Sequence, residues 1–453
     1  MFDKNNPKYL WVSNDSFNGN GTWENPFGKI ELALERVQPG NTIILKNGIY
    51  YNDITIQVSG TTHMPIKIVA QEKGKVEIHG ACWFLYDVCD FIISELTFKR
   101  SPNGAISAIG ACQRNRFNDL RFIDCGTADK TTCTMFFGGS GAQCNLVENC
   151  SFEQQKIIHP KKHGPENAIF GLMVTDGDIF EKDFIKNHVF RHNRFVNYQY
   201  GILLGSNDTS ENQGSHIIEY NTFENCYRDG ITIKCSDTQI RGNLIANCGN
   251  NSILIQAGTG SVIEKNRIID SNNGILVHDC GHTIQNNCIV RCNGPAITVC
   301  GKSNSQHNAA NNLLIEKNTC INCGVNSSEN RVSGIEIEPG TTCIVRKNLF
   351  HGEGKPYNFT SHIQETKPDI SSCYLIEDNA VSGKCEIMDG FYPKAISFIN
   401  KESDNFENDS NYGAKGWMLK PETFNPDVDN VDNGIDYRML GMLSETINAE
   451  QCD

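Results

Sequence analysis

Lys234, Gln256 and His278 each close a short strand-like segment, in GITIK, SILIQ and GILVH. They are the side chains of this chain best suited to chemistry on a polar ligand. Once deprotonated, a lysine serves as a base. A histidine exchanges protons near neutral pH, and a glutamine both donates to and accepts from hydroxyl groups. Other polar residues gather at related positions. Arg228 and Asp229 precede the Lys234 segment and Thr232 lies inside it; Asp176 and Asp178 follow Thr175, and Glu336 and Glu338 alternate in GIEIE. Two such glutamates, about 7 Å apart at Cα on one strand, suit the paired carboxylates of glycosidic hydrolysis or transfer. The basic loop HPKKHG (His159–Gly164) reads equally well as a hold for an acidic substrate or as a solvated rim.

These residues share a surface only if the chain repeats, and it does. HIIEYN, TQIRGN, SVIEKN, HTIQNN, LLIEKN and CIVRKN end at Asn221, Asn243, Asn266, Asn287, Asn318 and Asn348, with a degenerate copy at Asn193. The closest copies lie roughly 21–23 residues apart, a period that marks a solenoid whose coils bury their apolar faces on one another. Between them runs a second series: GLMVT, GILLG, GITIK, SILIQ, GILVH, AITVC and GIEIE. Its second and fourth positions are apolar, so these point inward while the third and fifth point outward. The expected fold is therefore all-β, a right-handed parallel β-helix. With adjacent coils about 4.8 Å apart, Lys234, Gln256 and His278 should form a polar line roughly 10 Å long on its surface. A rigid sheet flanked by long loops is where binding residues are expected. The Asn column reads as structural, its amides satisfying one another and the backbone.

The same pattern sets the organisation. Residues 1–58 are expected to form an N-terminal cap and first coil, with a strand at Tyr9–Val12. In that cap a short helix places Ile30, Ala33, Leu34 and Val37 on one face. Residues 59–388 carry the β-helix, and 389–453, where the repeat is lost, an irregular cover. Cys226, Cys248, Cys292 and Cys323 fall at one phase of the repeat, as reduced core thiols would; the chain has 20 cysteines and no pair with zinc spacing. A formal charge of -13 argues against nucleic acid as a partner. No run of about 18 apolar residues suggests a membrane span. The start, MFDKNNPKYLWVS, lacks a signal-peptide pattern, so a cytoplasmic location is expected unless a leader has been removed. In the cytoplasm an imported oligosaccharide would be the natural substrate. Association of the flat sides into a homo-oligomer is compatible with such a solenoid.

Two stretches carry a family likeness. YLWVSNDSFNGNGTWENPFGKIELAL and VQPGNTIILKNGIYYN match the opening of many carbohydrate-active β-helices. GILLGSNDTSENQGSHIIEYNTFENCYRDGITIKCSDTQIRGNLIANC (Gly201–Cys248) is similar to the segment that carries the catalytic lysine of β-helical polysaccharide lyases. The chain resembles that superfamily, most closely the chondroitinase B and alginate lyase family. The resemblance implies that Lys234 is the base that removes the proton α to a uronate carboxylate. It also implies a calcium ion that neutralises the carboxylate, with Asp229 and Asn197 among its ligands. The chain departs from the pattern at Tyr227, in place of a first acidic ligand, and at Gln256, in place of an arginine that assists the leaving group. His278 is expected to take over the acid role. Two alternatives stay open on the same scaffold: a glycoside hydrolase or fructosyltransferase using paired carboxylates, and a glycan-binding module without catalysis.

Overall fold

The computed structural model describes residues 2–127, 129–139, 141–156, 168–175, 185–206, 213–301, 308–324, 332–359, 374–385 and 391–393. Nearly all regular structure is β, in parallel pairs; α1, at Ile30–Leu34, is a short helix that buries Ile30 and Ala33. Among the described residues no helix is long and apolar enough to cross a membrane. The chain forms two compact units, residues 1–240 with 248–261, and residues 241–247 with 262–453. Both repeat one coil of three strands, which contribute in turn to sheets called A, B and C here.

In the first unit, sheet A runs from Tyr9–Val12 through Thr42–Leu45 and Ile66–Ala70 to Ile217–Glu219. Sheet B includes Thr97–Lys99, Arg121–Ile123, Ser151–Glu153, Arg194–Val196 and Thr222–Glu224, paired in exact register without slips. Sheet C holds Trp83–Tyr86, Ile106–Ile109, Thr132–Gly138, Ile169–Thr175, Tyr200–Gly205, Ile231–Lys234 and Asn251–Ala257. In the second unit, sheet A includes Thr283–Gln285 and Leu313–Glu316, sheet B Cys288–Val290 and Thr319–Ile321, and sheet C Asn273–Val277, Ile297–Val299 and Val332–Ile337.

The corner between sheets A and B explains the repeat. Tyr220, Lys265, Asn286, Lys317 and Lys347 each adopt a positive φ of 54–56°, and the asparagine that follows turns into the fold. There it is fully or almost fully buried. The Asn266 amide donates to Asn287 Oδ1 at 3.0 Å, Asn287 to Asn318 at 2.9 Å, and Asn318 to Asn348 at 3.0 Å. Each side chain thus satisfies polar groups of the next coil, which a buried corner requires. The ladder extends to Asn379 in the second unit, and Asn193 donates to Asn221 in the first. A second ladder at the entry to sheet A had no uniform signature in sequence. Asn115, Asn145, His188 and His216 follow one another there, each passing a side-chain acceptor to the backbone N–H of the previous member.

Apolar residues fill the interior. In sheet B, Phe98, Phe122, Phe152, Phe195 and Phe223 stack coil on coil at 4.5–5.4 Å. Such pairs add to the burial of each ring, itself about 1.5–3 kcal/mol. The glycine that opens GLMVT and GILLG makes room for this stack. A Cβ on Gly171 would lie 2.6 Å from the Phe195 ring, and one on Gly201 2.5 Å from that of Phe223. The cysteines among the described residues are free and mostly buried, including the expected column at Cys226, Cys248, Cys292 and Cys323.

Candidate functional site

Outward positions of sheet C in the first unit form a continuous register. Phe84, Ser107, Phe136, Met173, Leu203, Thr232 and Leu254 succeed one another, one per coil. Phe136, Met173 and Leu203 are half-buried and pack against a satellite cluster of Cys133, Ala168, Phe170 and Tyr200. The Phe170 and Tyr200 rings stack at 4.7 Å. This face is apolar over several coils, unlike the polar surface of an ordinary solenoid.

Its charge lies at Lys234, at the end of Ile231–Lys234. One neighbour in register is Gly205, whose φ of +87° and close approach to the Lys234 carbonyl leave no space for a side chain. On the other side a register shift sets Ala257, not Gln256, opposite Lys234. The expected Lys234–Gln256 pairing is therefore corrected: Gln256 sits in a bulge. Gly258 follows it with φ +98°, and a Cβ there would lie 2.3 Å from the Cys235 carbonyl. Bulges re-aim side chains next to active sites. Lys234 thus stands between two side-chain-poor positions. Among the described residues it has no hydrogen bond or ion pair, and burial lowers its pKa from the ordinary lysine range. A lysine that loses its proton more readily is what a general base requires.

Across the strand, Arg228 donates to the Tyr200 hydroxyl at 2.8 Å, with its guanidinium near the ring. Asp229 is placed as a strut. It is 4% exposed and accepts from Asn250 Nδ2 at 3.0 Å, the Asn251 backbone N–H at 2.9 Å and Asn251 Nδ2 at 3.2 Å. Burial raises its pKa, while the Asn251 and Asn250 bonds and the charge of Arg228 oppose that rise. Thr232 is buried too, with its hydroxyl 3.5 Å from Asp229 Oδ2. Asp229 is thus held by its neighbours, while Thr232 keeps its outward register although little of it is exposed.

Asn197 and Asp229 do not fit calcium. The Asn197 amide donates to the Gln154 carbonyl, its oxygen accepts from Asn225, and the Asp229 oxygens are held as described. A calcium ion needs six to eight oxygen ligands, about 2.3–2.6 Å away, with free lone pairs. Among the described residues no group of three or more His, Cys, Asp or Glu could hold a metal.

In the second unit, His278 is buried just beyond Asn273–Val277. Glu336 faces outward in register with Thr298, and Glu338 accepts from the Gly301 N–H at 2.7 Å. Asp176, Asp178 and HPKKHG lie outside the described residues, as does nearly all of 389–453. Tyr200 and Phe170 were not singled out from sequence. Their signal was present: an aromatic residue immediately before the glycine, in FGLMVT and YGILLG.

Comparison with known proteins agrees with this architecture. A model of the right handed beta helix region matches residues 171–321. The chain is a right-handed parallel β-helix. A second model, described as disaggregatase related, matches residues 277–406. The PL6 family alginate lyase AlyGC superposes with a TM-score of 0.69 at 19% identity, over 90% of this chain and 57% of that one. A mannuronic acid specific family 6 lyase from human gut microbiota gives 0.64 at 19% identity, over 80% of this chain and 88% of that one. The uncharacterized protein YwoF of Bacillus subtilis (strain 168) is 36% identical over 73 residues. This chain spans 16% of YwoF and 57% of AlyGC. At these identities the solved structures speak for the fold alone.

Proposed function

We propose that this protein is a carbohydrate-active enzyme that cleaves a uronate-containing glycan by β-elimination, with Lys234 as the base. The observation that carries the reading is the setting of Lys234. It is half-buried, its pKa is lowered by burial, it has no partner among the described residues, and it stands between Gly205 and Ala257 on the outward face of sheet C. Several solved proteins of this fold act on uronate polymers, and one is an alginate lyase in complex with a trisaccharide.

In this reading the neutral Lys234 Nζ takes the proton from the carbon α to the uronate carboxylate. The freed electron pair forms the ring double bond, and the bond to the leaving sugar oxygen breaks. The lysine ammonium then returns a proton to that oxygen, so one residue closes the cycle. Arg228 and Tyr200 hold a neighbouring part of the glycan. No step runs through calcium, so a chelator should leave turnover intact.

The test is a panel of uronate-containing and neutral glycans, read for the ultraviolet absorbance of an unsaturated product and for new reducing ends. Absorbance that appears only with uronate glycans and is lost in Lys234→Ala supports the reading. Reducing ends without absorbance would replace elimination with hydrolysis.

A further inference from the structure

Among the in-register outward side chains of sheet C from Phe84 to Leu254, none carries a charge. The next outward column runs Tyr86, Ile109, Gly138 and Thr175, then Gly205, Lys234 and Ala257, with Lys234 its sole charge. Arg228 enters from the turn of the same coil as Lys234. Among the described residues of these two columns, Lys234 is therefore the only cation. The coils before it present apolar groups: Phe84 and Tyr86, whose rings stack nearly parallel at 11°, then Phe136, Met173 and Leu203. Tyr86 is 37% exposed.

A polyuronate or sulfated glycan places a negative charge on every residue or every second residue. Along these two columns, among the described residues, only a charge beside Lys234 would gain a cation; the others would lose water against a protein whose net charge is -13. Neutral sugars gain instead, because their apolar ring faces match aromatic and aliphatic floors. The coil step of about 4.8 Å is close to the length of one pyranose, so successive coils offer successive sugars a place.

We infer that the substrate is a sparsely charged, unsulfated heteroglycan. Its reacting uronate sits at the Lys234 coil, and a run of neutral sugars lies along the apolar coils from Leu203 back to Phe84. The inference rests on the proposed elimination for the position of the uronate, and on the apolar floor alone for the neutral run.

The experiment compares deacylated gellan, whose backbone separates each glucuronate by neutral sugars, with polymannuronate, polyguluronate and chondroitin sulfate, each assayed by product absorbance. Gellan is expected to show the highest kcat/KM, by about tenfold or more, a difference of about 1.4 kcal/mol. Phe136→Lys and Met173→Lys should raise KM for gellan and lower it for the polyuronates. A polyuronate preference, or lysine variants that leave both KM values unchanged, would overturn the inference. If no glycan yields an unsaturated product, the elimination reading fails, and calorimetry with neutral oligosaccharides decides this one separately. Binding that is weakened in Phe136→Lys supports it, and absence of binding refutes it. Concentration-dependent self-association abolished by Phe136→Lys would assign the face to a second copy and refute it too.

Discussion

Two outer faces of the first unit are built on the same coils and treat charge in opposite ways. On sheet A, Glu148 is 3% exposed and is shared by Arg116 and Arg191 from the coils on either side, with Arg191 Nε at 2.9 Å. Nearby, Arg114 grips Asp90 with two bonds of 2.8 Å. On sheet C the corresponding positions hold Phe136, Met173 and Leu203, and the one lysine in the series lacks a described partner. A face whose charges neutralise each other has nothing left to offer a ligand. On sheet C the apolar side chains pack on Cys133, Ala168, Phe170 and Tyr200, and the lysine keeps no described partner, as a residue reserved for a ligand would. In the proposed reading, that difference separates structural charge from functional charge.

The comparison can be broken most sharply at Lys234. Lys234→Ala should cost about 10²–10⁴-fold in kcat/KM, the usual range for a general base, and leave the melting temperature unchanged or slightly higher. Lys234→Arg should be no better, because arginine does not give up its proton. Steady-state kinetics beside thermal unfolding checks both. Glu148→Ala should do the reverse. It removes a carboxylate held by two arginines that still reach water, so about 1–3 kcal/mol of stability is lost in denaturant unfolding while kcat is retained. Equal effects of the two substitutions on activity would erase the distinction.

The pH dependence sharpens it further. A base must be neutral to act, and burial lowers the Lys234 pKa, so kcat/KM should rise with pH to a plateau whose midpoint lies below about 10.4. Ala257→Glu would put a carboxylate in register with the ammonium, favour the charged form and move that midpoint up by about one unit. A midpoint that stays put would mean that another group sets the profile.

The last expected effect is on stability alone. His188 and His216 are fully buried and stack at 5.2 Å, and burial holds the His188 pKa down at about 3. The unfolded chain takes up that proton below about 6.5 and the folded one does not, so stability is undiminished above that pH and falls as pH drops towards 3. His188→Asn matches Asn145 in the previous coil and should make melting less sensitive to acid, with turnover unchanged.

Much of the scaffold was legible because a solenoid repeats its own instructions. The asparagine corner needs a buried amide at one phase, and the period-2 segments need apolar residues at alternate positions. Both demands recur coil after coil, so Ile231 and Ile233 inward and Thr232 and Lys234 outward followed from GITIK alone. Less of the site was legible. Asp229 read as a ligand-facing polar residue, but Asn250 and Asn251 of the next coil hold it as a buried strut, with the Thr232 hydroxyl 3.5 Å away. The second ladder stayed hidden because asparagine and histidine serve the same acceptor role there, so no single letter repeats.

By itself, then, the sequence determined the coil, its inward and outward faces, the asparagine and cysteine columns, and the position of Lys234 at a strand end. Those properties depend on local conformation and on burial that repeats with the period. Only the tertiary structure decided that Ala257 rather than Gln256 stands opposite Lys234, that Tyr200 receives Arg228, and that Asp229 is occupied by Asn250 and Asn251. Each of these is a relation between neighbouring coils, more than twenty residues apart in sequence. The bulge in particular balances strand pairing against the close approach of Gly258 to Cys235. Such a balance is struck only when the coils are stacked.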